Sequence, residues 1–560
     1  MTFYSYHKTS KEPCTIEHLP DEVLEFIIRL VSPYQDLQNC SLVCKRWHLT
    51  VQCVRRIIRN NFQRAILDFN VRWEEHHVPE LVPTISKRHS HSACCYDNSM
   101  YVFGGCTSTC STFNDLWRLD LTKRIWVRPL TMGTYPSPKA CASLVYYKDS
   151  LILFGGWSHP SPYPLHQAWR LFNELHEYSI PSNRWTCLID VTSPPAVAGH
   201  SASIHDSTMV IFGGLQKKSS LDQFNRSNDI WCFDFNGSGW RIQPTTEPQP
   251  QPRYGQSQIK LSDRYLLIIG GCGGSSVIFS DVWLLDMGGE IPDAKGTWVW
   301  TKIEVLGQQN APAHLWCHPA CKIGHSVITF ARNPESAAPM MPYKSWKLGS
   351  QVWVPPRQYD FINSVQPPAP KKGPGTVDVN VNGRRGTLNR RSASSDDSDL
   401  DAPGPSRAMY SGAQQRQGVN QLVRNTVQPS VRPNAMRNRA RQLELLRRME
   451  ERIRGMAPSP PPPPPPPVPK TPRNAMTMFV MDISEVLTHG RVAWLPLKPT
   501  PPSLGPEETI LYSLVAGVGE LIMFGGIEKD AMSLLNPETR SIVNTVSNNL
   551  RFISAPREVV

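Results

Sequence analysis

The chain has 560 residues and a formal net charge of +12, and it contains 52 prolines and 14 cysteines. Its length allows about two to four domains, and so much proline excludes a single compact globule. No apolar run reaches the length of a membrane span, and the N-terminus lacks the apolar core of a secretory signal. We therefore expect reduced cysteines, no membrane partner and a cytoplasmic or nuclear location.

A tail over 1–14 precedes the first predicted element, a helical pair over 15–60. Pro20, followed at once by two acids, is typical of a helix start. Apolar residues then recur at helical spacing on two stripes, Val23, Ile27, Leu30 and Val31, and then Leu37, Cys40, Cys44, Trp47 and Val51. Four more apolar residues fall off those stripes, namely Leu24, Ile28, Leu42 and Val43. So small a segment cannot bury apolar surface on two faces unaided, and we expect it to bind a partner.

The residues from Leu19 to Leu30 and from Leu42 to Trp47 resemble an F-box, including both ends of that motif. The resemblance implies a helical hairpin that docks on the adaptor Skp1, and through Skp1 on a cullin and a RING protein. Carried over position by position, it implies an adaptor contact lined by Leu19, Pro20, Val23, Leu24, Ile27, Leu42 and Val43. Trp47 would instead hold the helices together. The alternative is a capping hairpin without a partner.

Apolar residues continue at helical spacing from Val51 to Trp73, with arginines between them. The pattern predicts a stiff helical connector over 61–83 whose basic residues form its solvated face. Pro79 and Pro83 end this pattern, so we expect a β domain to begin near residue 84.

The stretch from Met100 to Trp126 returns along the chain: an apolar run ending in Gly-Gly, a polar loop, an aromatic-containing run and a later tryptophan. The second glycines are Gly105, Gly156, Gly214 and Gly271, and the later tryptophans are Trp126, Trp185, Trp240 and Trp298. A period near fifty with strand-length apolar runs indicates a repeat architecture and argues against an ordinary β-sandwich.

This pattern resembles the kelch repeat of β-propellers, in which glycines allow positive φ and large aromatic rings pack between blades. The resemblance places blades one to four and the start of blade five over 84–330. Gly199-His200-Ser201 and Gly324-His325-Ser326 fit the signature that opens a blade. We expect such histidines to be hydrogen-bonding core positions rather than metal ligands.

Residues 331–476 are rich in proline, serine and arginine, and they carry 23 Lys and Arg against 10 Asp and Glu. This composition is typical of a disordered segment, and we interpret it as an insertion in blade five. Residues 436–454 could form a basic amphipathic helix that binds RNA, an import factor or an acidic partner. We favour a solvated transient helix, because basic runs without interleaved aromatic residues are weak indicators of nucleic-acid binding.

Residues 477–560 resume the repeat. Thr477 to Asp482 predicts the missing strand of blade five, Trp494 its closing tryptophan, and Gly525-Gly526 a sixth blade. The segment 532–543 could close the ring, although it lacks the expected aromatic residues. The predicted fold is thus mainly β, a six-bladed kelch β-propeller whose fifth blade is split by a long disordered insertion, preceded by a small α-helical F-box. The rival interpretation ends the propeller at 330 and makes 477–560 a separate domain.

The chain lacks the motifs of a nucleophile elbow, a phosphate-binding loop or a metalloprotease helix. His314, Cys317, His318 and Cys321 are residue types that bind zinc, but they include only one cysteine pair, so we expect no metal and no cofactor. Together the two motifs resemble the F-box/kelch family. The resemblance implies a non-catalytic substrate receptor of a Skp1–cullin–F-box ubiquitin ligase. The alternatives are a kelch scaffold of the cytoskeleton, or an RNA- or chromatin-associated factor acting through the basic insertion.

In kelch propellers the loops after the diglycine strands and those entering the next blade share a binding face. The resemblance therefore implies substrate-binding residues at Arg88, Thr107, Lys139, Trp157, Ser158, Gln216, Lys217, Arg253 and Ser275. Lys139, Lys217 and Arg253 would favour an acidic or phosphorylated peptide. The insertion leaves from the same type of loop and would overhang this face.

Overall fold

The structure is a computed structural model. It describes residues 15–77, 82–108, 111–158, 170–190, 192–217, 224–237, 239–274, 277–288, 296–313, 315–332, 444, 447–448, 475–498, 505–528 and 545–556. The described residues up to 332 and from 475 onward belong to one compact unit. A second unit spans 367–470 and is described only at Glu444, Arg447 and Arg448, which have helical backbone. The predictions for the insertion and its basic helix otherwise lie outside the described residues.

The N-terminal region contains a short 3₁₀ turn (Ile16–His18) and the helices α1 (Asp21–Arg29), α2 (Gln35–Ser41) and α3 (Lys45–Leu67). Helix α1 begins directly after Pro20 and carries two acids in its first turn, where they face the positive end of the helix dipole. Its core consists of Leu24, Ile28, Leu37, Val51 and Val54, all at most 1% exposed. The stripe that begins with Val23 and Ile27 therefore does not face this core. Leu24 and Ile28 point inward instead.

Thirty-five strands lie among the described residues, and twenty-four of them form six antiparallel groups of four, numbered here as blades. A parallel pair adds a fifth strand to one group, and another parallel pair joins two groups into an eight-stranded sheet. Strand β1 (Arg72–His76) precedes blade one, which consists of β2 (Ser92–Tyr96), β3 (Ser99–Phe103), β4 (Leu116–Asp120) and β5 (Ile125–Val127). After β6 (Met132–Gly133), blade two contains β7 (Ser143–Tyr147), β8 (Ser150–Phe154), β9 (Trp157–Ser158), β10 (Arg170–Leu171), β11 (Leu175–Ser179) and β12 (Arg184–Leu188).

Blade three contains β13 (Val197–Ala198), β14 (Ser201–His205), β15 (Thr208–Phe212), β16 (Leu215–Lys217), β17 (Phe224–Arg226), β18 (Ile230–Asp234) and β19 (Gly239–Gln243). Blade four contains β20 (Ser257–Lys260), β21 (Tyr265–Ile269), β22 (Cys272–Gly274), β23 (Val277–Ile278), β24 (Val282–Asp286) and β25 (Val299–Leu306). In blade three, β13, β16 and β17 form a separate three-stranded sheet, and in blade four β22 and β23 form a separate hairpin.

After a 3₁₀ turn (Gln308–Asn310), blade five contains β26 (Ala320–Ile323), β27 (Ser326–Arg332), β28 (Met476–Asp482) and β29 (Arg491–Trp494). Blade six contains β30 (Thr509–Ile510), β31 (Ser513–Ala516), β32 (Glu520–Phe524), β33 (Ile527–Glu528), β34 (Thr545–Val546) and β35 (Leu550–Ser554). Strands β27 and β28 pair along their whole length, from Ser326 opposite Asp482 to Arg332 opposite Met476. The chain between Arg332 and Met476 therefore leaves and re-enters one sheet between adjacent strands.

The first strands of the six sheets, β2, β7, β14, β20, β26 and β31, contact one another in a closed cycle. Just before each of them stands a residue with φ between 51° and 67°, namely Ser90, Cys141, Gly199, Gly255, Cys317 and Leu511. Backbone hydrogen bonds join successive members of this set. The first bond runs from the Ser90 N–H to the Leu511 carbonyl at 3.0 Å, and the last runs from the Cys317 N–H to the Gly255 carbonyl at 2.9 Å. These bonds join neighbouring blades at the entrance of each inner strand. The Gly324-His325-Ser326 signature was misplaced, because it forms the turn between β26 and β27.

The ring is closed by the N-terminal strand β1, which pairs with β35 as the outermost strand of blade six. Trp73 on β1 packs edge-on against Phe330 of blade five, with 4.8 Å between ring centroids. The prediction of a helical connector over 61–83 was thus wrong beyond Leu67, where α3 ends. The predicted closing segment 532–543 lies outside the described residues.

In blades one to four the closing tryptophan packs against the phenylalanine of the preceding blade's diglycine strand, as expected of a repeat with inter-blade aromatic rings. The pairs are Phe524 with Trp126, Phe103 with Trp185, Phe154 with Trp240, and Phe212 with Trp300. In blade four this role belongs to Trp300 rather than to the predicted Trp298, which lies just before the outer strand in a bridge to Thr245.

Candidate functional site

The propeller has two ends with different chemistry. At one end lie the glycine pairs and the hairpins that follow them, and we call it the diglycine face; the pairs are Gly104-Gly105, Gly155-Gly156, Gly213-Gly214, Gly270-Gly271 and Gly525-Gly526. At the other end lie the tight turns between the first and second and between the third and fourth strands of each blade. We call it the F-box face, because the helices α2 and α3 contact turns there.

The helices attach to the F-box face through a buried polar contact. The Tyr34 hydroxyl donates a hydrogen bond to Glu520 Oε1 at 2.5 Å, and Arg124 lies 3.4 Å from the other oxygen of the same carboxylate. Arg124 also pairs with Glu74 at 2.7 Å. Burial raises the pKa of Glu520, and the hydrogen bond from Tyr34 and the charge of Arg124 oppose that shift. We call these four residues the junction cluster.

Other contacts extend this junction across blades one, five and six. The Gln35 N–H donates to the Thr122 hydroxyl at 3.1 Å. The lower half of α3 enters the propeller itself, because Phe62 and Ile66 belong to the same buried cluster as residues of blades five and six. The helices and the propeller therefore share a core, and the helical region is held in one orientation.

The helical region also carries an exposed apolar surface, which we call the F-box apolar patch. Val23 and Ile27 of α1 and Leu30 at its C-cap follow helical spacing and share one face. The patch consists of Val23 (41% exposed), Phe26 (44%), Ile27 (37%), Leu30 (73%), Leu42 (74%) and Val43 (62%). A group of large apolar side chains left in water on one small helical unit is typical of a protein-binding surface.

The structure places most of the predicted adaptor-contact residues at this surface. Val23, Ile27, Leu42 and Val43 lie in the patch, and Pro20 is exposed beside it. Leu19 is half-buried. Leu24 was wrongly assigned, because it is fully buried in the helical core and cannot contact a partner without unfolding.

Arg46 shapes the start of the patch and was missed by sequence reasoning. Its guanidinium donates to the backbone carbonyls of Glu17 and Leu19 at 2.8 and 2.5 Å and lies 2.7 Å from Asp21 Oδ1. These bonds tie the segment before α1 to the first turn of α3. Trp47 packs against the helical core, as expected of a residue that holds the helices together.

On the diglycine face, three predicted substrate-binding cations are structural. Arg88 and Arg253 are fully buried and form ion pairs with Asp115 at 2.7 Å and with Asp281 at 2.6 Å. Each also donates to a glycine carbonyl and lies over a phenylalanine ring. The pKa of both carboxyl groups is lowered, because the arginine outweighs the effect of burial.

Lys139 occupies the corresponding place between blades one and two. It is 1% exposed and lies 2.8 Å from Glu174 Oε2. Burial lowers its pKa, and the neighbouring carboxylate opposes that shift. Each of Arg88, Lys139 and Arg253 therefore ties the segment that enters a blade to the third strand of that blade, and their assignment to a substrate surface was wrong because each has its carboxylate partner within the fold.

The other predicted substrate-binding residues differ in how exposed they are. Trp157 is 1% exposed and belongs to a buried cluster near the axis, so it was also wrongly placed on the surface. Thr107, Ser158 and Gln216 are half-buried and Lys217 is exposed, all just after the glycine pairs. Ser275 lies outside the described residues.

Among the described residues, no group of three or more His, Cys, Asp or Glu side chains is arranged to hold a metal ion, and His314 of the zinc-like cluster is outside them. No helix in the described part of the chain is long and apolar enough to cross a membrane.

Two family models match the chain: one described as F-box-like over residues 16–59, and one described as FBX42, beta-propeller domain, over residues 88–292. With the exposed patch and the ring of blades, these matches support an F-box/kelch protein, with an N-terminal helical F-box-like region and a kelch-type β-propeller. Such domains are typical of non-catalytic adaptor proteins.

The chain is also similar to individual kelch proteins. Kelch domain-containing protein 3 of Homo sapiens is 26% identical over 250 residues, covering 43% of this chain and 60% of that protein. Tip elongation aberrant protein 1 of Schizosaccharomyces pombe is 29% identical over 205 residues, covering 35% of this chain and 17% of that protein. The solved structure of YjhT covers 44% of this chain and 73% of its own, with 17% identity and a TM-score of 0.35. The chain thus spans at most three fifths of the length of these two curated relatives.

Proposed function

We propose that the protein is the substrate-recognition subunit of a Skp1–cullin–F-box ubiquitin ligase, acting in the cytoplasm or nucleus. The F-box apolar patch docks on Skp1, and through it on a cullin and a RING protein. The propeller holds a protein substrate for ubiquitination. We also propose that the interrupted last blades resemble those of the protein called "just one F-box and kelch domain".

The observation that carries the proposal is the F-box apolar patch. The helical region buries its inner residues in its own core and its lower half in the propeller, and it still leaves large apolar side chains in water. Burying such side chains against a partner stabilises a complex by about 25 cal/mol per Å² of apolar surface, before the costs of association.

The mechanism that follows is positional. The junction cluster and the shared core hold the F-box in one orientation to the propeller, so a bound substrate would stand at a set distance from the ligase machinery. Tethering raises the effective concentration of a substrate lysine near the ubiquitin-charged enzyme and turns a bimolecular encounter into a nearly unimolecular one. No residue of this chain is assigned a covalent step.

The test is co-purification of recombinant Skp1 with the full chain. Ile27→Glu and Leu42→Glu place charges in the patch, and we expect both variants to lose Skp1 because an unpaired charge cannot be buried at an apolar interface. Leu130→Glu is the matched control, since Leu130 is 91% exposed and lies on the propeller. Failure of the folded wild-type chain to capture Skp1 would reject the proposal and favour a kelch scaffold.

A further inference from the structure

A groove of about 620 Å³ lies between blades two and three. It is formed by the turn between β7 and β8, the strand β11, the end of β12 and the turn between β18 and β19. Both turns are of the kind that defines the F-box face, so the groove is separate from the diglycine face. It also contains no residue of the F-box apolar patch.

The groove contains a carboxylate without a partner. Glu177 on β11 is half-buried, and its side chain makes no hydrogen bond or ion pair within the part of the chain that the structure describes. The corresponding residue of the third strand is Arg118 in blade one, but it is Cys232 in blade three and Leu284 in blade four, and both of these are buried. Blade two therefore places a negative charge where the next two blades bury an apolar side chain, and a bound cation would neutralise it.

Carboxylates outnumber cations in the described lining of the groove. Asp190 and Asp234 also line it, and the carboxylate of each accepts backbone N–H groups. Lys148 is the one cation of this lining, and its Nζ lies 5.0 Å from the centroid of the Tyr147 ring. Three carboxylates and one ammonium give the groove a formal charge of about −2, which favours a cationic ligand.

Aromatic and aliphatic side chains lie beside these charges. The rings of Tyr147 and Phe235 stack with their centroids 4.1 Å apart, and Phe233 packs edge-on against Phe235 at 5.1 Å. Ile189, directly after β12, is 91% exposed. The groove thus combines an unpaired carboxylate, half-buried aromatic rings and an aliphatic side chain left in water.

We propose that this groove binds an arginine of a partner protein, with the guanidinium paired to Glu177 and an adjoining apolar side chain packed on Ile189. Arginine fits better than lysine, because a planar guanidinium pairs with a carboxylate through two hydrogen bonds and stacks on aromatic rings, whereas an ammonium is a hydrated point charge. The inference goes beyond the proposed function and does not depend on it, since the groove is separate from both the F-box apolar patch and the diglycine face.

The experiment measures binding of a short fluorescein-labelled peptide to the full chain by fluorescence anisotropy. The peptide carries Arg-Leu pairs separated by glycine and serine, and matched probes carry lysine or the uncharged citrulline in place of arginine. The variants are Glu177→Gln, which removes one charge and keeps the shape, Ile189→Ser and Lys148→Gln. Glu304→Gln is the matched control, because Glu304 is an exposed carboxylate on the outer strand of blade four, outside the groove.

We expect the wild-type chain to bind the arginine peptide more tightly than the lysine and citrulline peptides. Glu177→Gln and Ile189→Ser should each weaken binding of the arginine peptide by about fivefold or more, and Lys148→Gln should strengthen it because a repelling charge is lost. Glu304→Gln should leave the affinity unchanged.

A wild-type chain that does not bind the arginine peptide would overturn the inference. So would equal affinities of the wild type and either weakening variant, or an equal loss in Glu304→Gln. Skp1 capture and the unfolding temperature should be the same for every variant, which shows that the fold persists and separates this result from failure of the proposed function.

Discussion

Single side chains at the boundaries between blades explain which residue types the repeat accepts at one position. His200 Nε2 lies 2.9 Å from the Ser143 hydroxyl of the preceding blade, and its ring packs against Phe154. In the next blade the corresponding position is Gln256, whose amide donates to the Ser201 hydroxyl at 3.0 Å. A neutral polar group that reaches the previous blade is what the site requires, and histidine and glutamine both supply one.

This arrangement predicts a loss of stability in mild acid. Burial lowers the pKa of His200 to about 3 and those of His89 and His176 to about 4. Below about pH 6.5 the unfolded chain binds protons at these rings and the folded chain does not, so the free energy of unfolding falls by about 1.4 kcal/mol per pH unit for each ring. Thermal unfolding between pH 7.5 and pH 5 measures this slope.

The variant His200→Gln tests the contribution of one ring. It copies the side chain that blade four already uses, so the fold should persist and the slope should become shallower by about one proton. An unchanged slope with the fold intact would show that His200 binds a proton as readily in the folded chain as in the unfolded chain.

At the scale of the element, the N-terminal strand decides whether the ring closes. Strand β1 pairs with β35 over five residues and brings Trp73 against Phe330. A blade without this strand would expose the backbone edge of β35 and the apolar surface beneath Trp73. The helical region and the propeller are consequently one folding unit, although a linear map of motifs separates them.

We expect a chain that begins at residue 84 to fail to form a stable propeller, because blade six loses its outer strand. A chain that begins at residue 15 keeps β1 and α3 and is the control. Circular dichroism and limited proteolysis of both chains measure the difference. A truncated chain that unfolds cooperatively at the temperature of the control would contradict the assigned role of β1.

At the scale of the molecule, the distance between the two predicted binding surfaces depends on the junction cluster. Tyr34 is 3% exposed and joins α2 to the turn of blade six through the Glu520 carboxylate. The F-box apolar patch lies on the helices, while the diglycine face lies at the opposite end of the propeller. A substrate held there reaches the ligase only through this rigid body.

The variant Tyr34→Phe removes the hydrogen bond and leaves the ring in place. We expect Skp1 capture to persist, because Tyr34 is outside the patch, and ubiquitination of a bound substrate to fall because the buried carboxylate loses its donor and the junction loosens. Hydrogen exchange of the α2 amides should rise. Exchange and ubiquitination both equal to wild type would show that the junction cluster does not set the geometry.

The repeat itself determined much of the architecture. Glycine pairs near a fifty-residue period predicted the second strands, and the tryptophans at set offsets predicted the aromatic contacts between blades, because both depend on local backbone conformation and on packing that each repeat reproduces. Trp298 and Gly324 were assigned wrongly, because neighbouring residues fit the repeat pattern equally well: Trp300 takes the role predicted for Trp298, and Gly324 lies in a turn inside blade five. The resemblance of 19–47 to an F-box likewise depended on a short contiguous motif.

Tertiary structure alone decided which residues those elements expose. Leu24 and Val23 are neighbours in an amphipathic helix, and only the position of α3 determines which one is buried. Arg88 and Arg253 are charged, so the sequence suggested exposed side chains. Each instead forms a buried ion pair with an aspartate that lies 27 or 28 residues later in its own blade. Trp73 meets Phe330 because the ring brings distant segments together. Sequence determines local conformation and repeat, whereas burial, charge pairing and ring closure depend on contacts between segments far apart in the chain.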